Sequence, residues 1–401
     1  MIRGRSYLYC IYLGACLMLA ACAAVPERAD REAVHPLVVV ESSEVPFPAD
    51  DLDTESLRRA IEQSLTYYDR VPATTVFSFG RDCYTLSDMK ASLLEFLEIV
   101  AASRSDDERN KRIGDAFRVY KSVGRGVPGR VLFTGYYEPL LHGSLEKTDR
   151  YRYPLYRIPD DHVTIDLGQF RDRYRGESVI ARIDRGRIVP YYTRRDIDVD
   201  DRLKGRGLEL AWVDDPVDLF FLHIQGSGMV ELPDGTVMKV SYAHKNGHPY
   251  RSIGRLLVDR GKMSLEGSSL QSIKRYLRDH PQEMADILAH NESYVFFRRV
   301  EEGPIGCLDV PVTSGRSIAT DSSLYPRGAL AFIRTKKPLM AADGSITGWV
   351  PLSRFVLNQD TGGAIKGPGR VDLFCGNGRY AEVWAGNLKE EGELYFLVRK
   401  R

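Results

Sequence analysis

"NQDTGGAIKGPGRVDLFCGNG", residues 358–378, carries the triplet Asp360-Thr361-Gly362 and, a dozen positions on, a second aspartate, Asp372. An Asp-Thr-Gly triplet holds the catalytic carboxylate of aspartic proteases, but those enzymes need two aspartates sharing one proton on facing loops. This 401-residue chain contains one such triplet, which speaks against half of a protease dyad. A third aspartate, Asp321 in "ATDSSLYP", also sits beside small residues at a strand edge or turn. The glycines at 362, 363, 367 and 369 let the backbone turn tightly and let a bulky ligand approach the main chain. An isolated aspartate in such a place usually caps a turn. Three folded into one locus act differently: ionised neighbours raise the pKa of the least solvated carboxyl, leaving it protonated near neutral pH as a general acid.

Around this segment the texture is that of a β protein. From residue 130 onward, short β-branched and aromatic runs are broken by Gly, Pro and Asp: "RVLFTGYYEP", "YRYPLYRIP", "GRIVPYYTRRDID", "DLFFLHIQGSG" and "MVELPDGTVMKVSYAHKNG". Asp234-Gly235 between two alternating runs predicts a hairpin. The last hundred residues read as strands and turns, including "GALAFIRTK", "RVDLFCG", "AEVWAGN" and "ELYFLVRK". Helices are predicted earlier, where Leu57, Ile61, Leu65 and Tyr68, and then Met89, Leu93, Phe96, Leu97 and Val100, fall on single faces. "RSDDERNK" reads as a solvated charge run. Helical stripes return at 252–261 and 268–280, the latter stopped by Pro281, with a shorter one through Met284, Ile287 and Leu288. No repeat period emerges, and length predicts two packed units, either sequential or one inserted in the other.

With 56 Lys+Arg against 55 Asp+Glu and 43% hydrophobic residues, the chain is neither disordered nor a basic nucleic-acid binder. Its start differs from the rest. "MIRGRSYLYCIYLGACLMLAAC" puts Arg3 and Arg5 before a short apolar stretch and closes on Leu19-Ala20-Ala21-Cys22, which resembles the lipobox of bacterial lipoproteins. Residues 1–21 are expected to be a signal peptide, Cys22 the lipidated first residue and 22–51 a polar tether. Ala23 rather than aspartate after the cysteine favours the outer membrane, facing the periplasm. Cys83, Cys307 and Cys375 then remain in an oxidising compartment, with room for one disulfide at most; small buried thiols are the simpler reading.

Other motifs carry less. His244 and His248 have the spacing of a helical zinc pair, but Asn246-Gly247 and Pro249 break any helix, so both are read as loop residues. "GRGVPG" and "GNGRYA" mimic dinucleotide loops without a predicted helix to open, and no GxSxG elbow occurs. Tyr136, Tyr137, Tyr151, Tyr153, Tyr156, Tyr191 and Tyr192 offer flat faces with a hydroxyl, suited to sugar rings, although tyrosine also simply favours sheets. Arg194 and Arg195 meet an acidic substrate or are surface charge.

"FTGYYEP", "DLFFLHIQGSG", "SYAHKNGHPYRSIG", "YVFF", "SIATDSSLYPRGAL" and "DTGGAIKGPGRVDLFCG" occur in the order found in the MltA family of lytic murein transglycosylases, which the chain resembles over nearly everything after the lipobox. The resemblance implies a mainly β fold with flanking helices. A double-psi β-barrel is split across both chain ends (52–131 with 248–401), a second β-barrel is inserted (132–247), and the glycan groove lies between them. It implies cleavage of the β-1,4 bond between N-acetylmuramic acid and N-acetylglucosamine of peptidoglycan, leaving 1,6-anhydromuramoyl ends, without metal or organic cofactor. By motif Asp372 is the acid/base, with Asp360 and Asp321 beside it, and Thr134, Tyr136, Gln225 and Ser227 touch sugar. Expected partners are glycan strands, outer-membrane lipid through Cys22 and cell-wall synthesis proteins, with no nucleic acid. The competing expectation is a lipid-anchored peptidoglycan-binding protein that cuts nothing.

Overall fold

The computed structural model describes residues 35–42, 45 and 47–401; the expected signal peptide, Cys22 and much of the tether lie outside the described residues. The first amphipathic pattern forms the helix Thr54–Arg70, capped by Asp53 and burying Leu57, Ile61 and Tyr68. The second forms Leu86–Ala102, started by a capping box between Thr85 and Asp88.

Three stretches depart from their expected structure. "RSDDERNK" begins the helix Asp106–Ala116: Ser105 caps it, three acids occupy the first turn where the helix dipole favours negative charge, and Ile113 is its buried anchor. "DLFFLHIQ" lies in the helix Pro216–Gln225, with Asp215 accepting from the amides of Val217 and Asp218, Pro216 in the first turn and Gly226 ending it at φ 81°. "AEVWAGN" belongs to the helix Gly378–Asn387, whose Ala381, Trp384 and Ala385 are buried at helical spacing. "GNGRYA" therefore does open a helix, but the strands on either side of that helix are not neighbours in the sheet, so no dinucleotide-type unit results.

Six strands close into a ring. In order round it are Val131–Glu138, Glu390–Arg399, Leu330–Met340, Ile346–Asp360, Ser317–Ala319 and Arg370–Asn377, which returns to Val131–Glu138. The last pairing and that of Ser317–Ala319 with Ile346–Asp360 are parallel; the other four are antiparallel. This is the double-psi barrel. Its strands come from both sides of a long excursion, and Phe133, Phe332, Phe355, Val371, Leu373 and Phe396 are fully buried or nearly so in and around it. Two further strands, Leu37–Val40 and Phe117–Ser122, continue the sheet from the later residues of Glu390–Arg399. Packing is close. A Cβ on Gly392 would lie 2.0 Å from the Arg334 carbonyl oxygen, and one on Gly135 would lie 2.8 Å from the Ala385 Cα of the helix outside.

At Pro139 the chain passes from the barrel into a second sheet, ordered Val295–Val300, Val237–Lys245, Ser227–Glu231, Leu140–Ser144, Glu209–Val213, Tyr153–Tyr156. The Asp234-Gly235 hairpin joins two of these strands, with Gly235 at φ 82°. The sheet curls into a second barrel, and Tyr156 and Phe296 from its two edge strands share one buried cluster with Tyr191 and Tyr294. The expected boundary at 247 leaves out Val295–Val300, which pairs with Val237–Lys245 along most of its length; by hydrogen bonding the second sheet reaches residue 300. The helices Ile253–Asp259, Leu270–Asp279 and Pro281–Ala289 fall between those two strands in sequence.

His244 lies near the end of the Val237–Lys245 strand rather than in a loop, and His248 beyond it is held by the Tyr191 carbonyl through Nε2 at 2.7 Å. Arg194 is a buried structural cation: it donates to the carbonyls of Asn291 and Ser293 and pairs with Asp198. Arg195 is exposed and pairs with Asp286. Among the described residues Cys83, Cys307 and Cys375 are free thiols; Cys375 is buried as expected, whereas Cys83 and Cys307 are exposed.

A second buried cation fastens the chain leading into the first helix to the barrel. Arg316, fully buried, donates to Asp50 at 2.6 Å, to the Ser56 hydroxyl and to the carbonyls of Phe355 and Asp53, while Asp50 also accepts from the Phe355 amide. Removing one member of a buried pair leaves the other charge uncompensated. Asp50→Ala is therefore expected to lower unfolding stability by about 3–5 kcal/mol in urea melts, and a loss below about 1 kcal/mol would contradict this anchoring role.

Candidate active site

The short strand Ser317–Ala319 sits between two longer ones, and its register does the positioning. Ala319 pairs with Asp360 on one side and Asp372 on the other, and Asp372 pairs in turn with Thr134. Asp360, Ala319, Asp372 and Thr134 thus form one row across the barrel. With strands about 4.8 Å apart, the backbones of the two aspartates stand about 10 Å from each other across a small alanine. Alternation along the Arg370–Asn377 strand buries Val371 and Leu373 completely and turns Arg370 and Asp372 the other way. They line a groove of ≈ 1530 Å³ between the two barrels, larger than the usual small-molecule cleft. Tyr242, His248, Tyr250 and Arg299 also line it.

The three aspartates have different surroundings. Asp321 is 5% exposed and accepts from the Ser323 amide and hydroxyl and from the Gly367 amide at 2.9 Å, so it pins the glycine-rich loop. Burial opposes its ionisation, but these bonds win and hold its carboxyl below the usual range. It is not among the residues lining the groove. Asp360 accepts from the Tyr136 hydroxyl and from the amides of Cys307 and Thr361, each at 2.9 Å. Burial nevertheless pushes its carboxyl up. The Tyr136 phenol, driven far above its ordinary value by burial and by the Asp360 charge, stays protonated and donates.

Asp372 is the unsatisfied one. Its side chain is 19% exposed, and Oδ1 is buried with no hydrogen-bond partner among the described residues. Arg370 Nη2 stands 3.8 Å from that oxygen, beyond hydrogen-bond reach. Burial pushes the carboxyl up to about 6, with Arg370 pulling it down and the Asp360 charge adding to the rise. A carboxyl that is half protonated near pH 6, and still partly so at neutral pH, can both give and take a proton.

Thr134, Tyr136, Gln225 and Ser227 all line the groove. Thr134 accepts from Arg370, the Tyr136 ring packs against Phe374 at 5.1 Å between centroids with the planes tilted by 40°, and Gln225 Oε1 accepts from the Tyr137 amide at 3.0 Å, tying the end of the Pro216–Gln225 helix to the barrel strand. Arg370, Tyr242 and Tyr250 were not singled out by sequence reasoning. For Arg370 a signal existed: it stands two residues before Asp372 in a strand and must share its face.

Comparison with known proteins agrees with this architecture. Residues 132–298 match the MltA specific insert domain and residues 316–398 the 3D domain. Membrane-bound lytic murein transglycosylase A of Escherichia coli (strain K12) is 32% identical over 294 residues, 73% of this chain and 72% of that protein. A membrane-bound lytic murein transglycosylase from Agrobacterium tumefaciens superposes with a TM-score of 0.73 at 32% identity, covering 90% of this chain and 97% of that one. E. coli MltA with bound chitohexaose gives 0.71 at 25% identity, covering 92% and 95%.

The Asp372 environment has a measurable cost. A folded-state value of about 6 against 3.8 means that the native state resists ionisation, so the penalty is fully present above pH 6 and fades as pH falls to 3.8. Asp372→Asn is expected to stabilise the protein by about 3 kcal/mol at pH 7.5 and by almost nothing at pH 3.5. Urea unfolding at the two pH values checks both the size and the sign.

Proposed function

The chain belongs to the MltA family of lytic murein transglycosylases, enzymes that degrade peptidoglycan, and from that premise we propose that it cuts the β-1,4 bond between N-acetylmuramic acid and N-acetylglucosamine with Asp372 as sole acid/base. The observation that carries this reading is the unpartnered, desolvated Oδ1 of Asp372 on the wall of a groove larger than the usual small-molecule cleft. The chitohexaose bound to the E. coli relative supports an oligosaccharide as occupant.

Ordinary glycosidases need two carboxyl groups because water or an enzyme nucleophile must attack the sugar. Here the nucleophile comes from the substrate. Protonated Asp372 donates to the glycosidic oxygen, which leaves with the electrons of its bond to C1. The C6 hydroxyl of the same muramoyl ring attacks C1 and gives its proton to the Asp372 carboxylate, regenerating the acid. No water is consumed, and the product end is a 1,6-anhydro ring. An internal hydroxyl held against C1 has a large advantage over solvent. Asp360, held by Tyr136 and two amides, favours the proton on Asp372 whenever it is itself ionised. Asp321 supports the chemistry at one remove, by holding the loop that leads to Arg370 and Asp372.

The same reading places the protein on the periplasmic side of the outer membrane, held by lipid at Cys22 and within reach of cell-wall synthesis proteins. The relatives are named membrane-bound, and among the described residues no helix is long and apolar enough to cross a membrane.

Asp372→Asn is expected to abolish release of anhydro-muropeptides from isolated sacculi, by at least about a hundredfold, while retaining glycan binding. Unchanged release would remove Asp372 from the mechanism, and absence of release by the wild-type chain would leave a binding protein. Because the first step needs the protonated acid, kcat/KM should fall as pH rises through about 6; a flat profile from pH 5 to 8 is incompatible with this assignment.

A further inference from the structure

Most groove-lining arginines are occupied by protein groups. Arg157 pairs with Asp160, Arg298 with Asp309, and Arg194 with Asp198. Arg370 is different. A guanidinium offers five N–H donors in a planar fork, yet among the described residues Arg370 makes one hydrogen bond, from Nη2 to the Thr134 hydroxyl at 3.3 Å. Its Nε is buried without a partner, and the Asp372 oxygen it faces is too far away to accept. A satisfied pair would have drawn the two side chains together. Instead the strand holds an underused cation and an unsatisfied carboxyl side by side on one face, both open to the groove. Such a fork suits an oxygen acceptor arriving with the ligand, and a carboxylate best of all.

Resting on the assignment of Asp372 to the bond-breaking step, we propose that Arg370, backed by Thr134, receives the acid substituent of the sugar ring beside the scissile bond. N-acetylmuramic acid carries a lactyl ether that ends in a carboxylate in peptide-free glycan and in an amide carbonyl when a peptide is attached. N-acetylglucosamine carries neither. The receptor therefore sets which ring sits next to Asp372: a neutral chitin-type polymer fills the groove without engaging the fork, whereas a muramoyl ring is fixed by it with C1 at the acid. The carboxylate form should bind more tightly than the carbonyl form, because both partners are then ionised.

The test measures binding to the full-length chain in the Asp372→Asn background, with and without Arg370→Gln, using peptide-free murein strands, peptide-bearing strands and chitohexaose. Arg370→Gln is expected to weaken peptide-free strands by at least about tenfold, peptide-bearing strands less, and chitohexaose by no more than about twofold; Arg370→Lys should recover part of the loss. A parallel loss on chitohexaose, or no loss on murein strands, overturns the proposal. Binding alone decides it, so its failure is distinct from failure of the Asp372 assignment, which is read from anhydro-muropeptide release.

Discussion

The Glu390–Arg399 strand pairs with Leu330–Met340 along one edge and splits the other between two partners: its first residues pair with Val131–Glu138, and its later ones with Phe117–Ser122. The first pairing closes six strands into a ring, and in a closed ring the register of every strand is fixed by all the others. The row Asp360, Ala319, Asp372, Thr134 is thus a property of the whole barrel rather than of a local turn. A shift of one residue in Arg370–Asn377 would put Asp372 into the core and Val371 into the groove. Close approaches such as that of Gly392 to the Arg334 carbonyl leave little room for such slippage.

Within that frame, three aspartates from similar glycine- and serine-rich sequence end in three electrostatic situations. Asp321 is saturated with donors and held ionised; Asp360 has three donors but is deeply enclosed; Asp372 has enclosure and no donor at all. Residue type is the same; the donors that meet each carboxyl and the depth of its enclosure set the three apart. The protein tolerates an unfavourable group at one place in the sheet because the neighbouring packing, with Val371 and Leu373 fully buried on either side, leaves Asp372 no way to relax.

How much of this was legible in the sequence depended on the range of the interaction involved. The helices at Thr54–Arg70 and Leu86–Ala102, the Asp234-Gly235 hairpin and the gathering of aspartates are written in local periodicity and turn chemistry. Pro216–Gln225 was hidden because "DLFFLHI" is apolar on every side, being packed against both Leu222's and Phe220's neighbours, so it lacks a helical stripe; its capping signals, Asp215, Pro216 and Gly226, were nevertheless present. Gly378–Asn387 was hidden by an accidental alternation through Ala381, Val383 and Ala385. The extent of the second sheet rests on a pairing across fifty residues, between Val237–Lys245 and Val295–Val300, which no local pattern encodes. The enclosure of Asp372 and the open fork of Arg370 needed three-dimensional packing, although their shared face followed from spacing alone.

The strand order also bears on how the molecule comes into being. Synthesis delivers Val131–Glu138 first, then the entire second sheet, then Asp372, and the closing strand Glu390–Arg399 after all of these. Until that strand docks, the ring is open and the enclosure that raises the carboxyl at 372 is incomplete. Under the proposed role of Asp372, the nascent polypeptide is therefore latent, and it gains its cutting power with the same event that completes its fold.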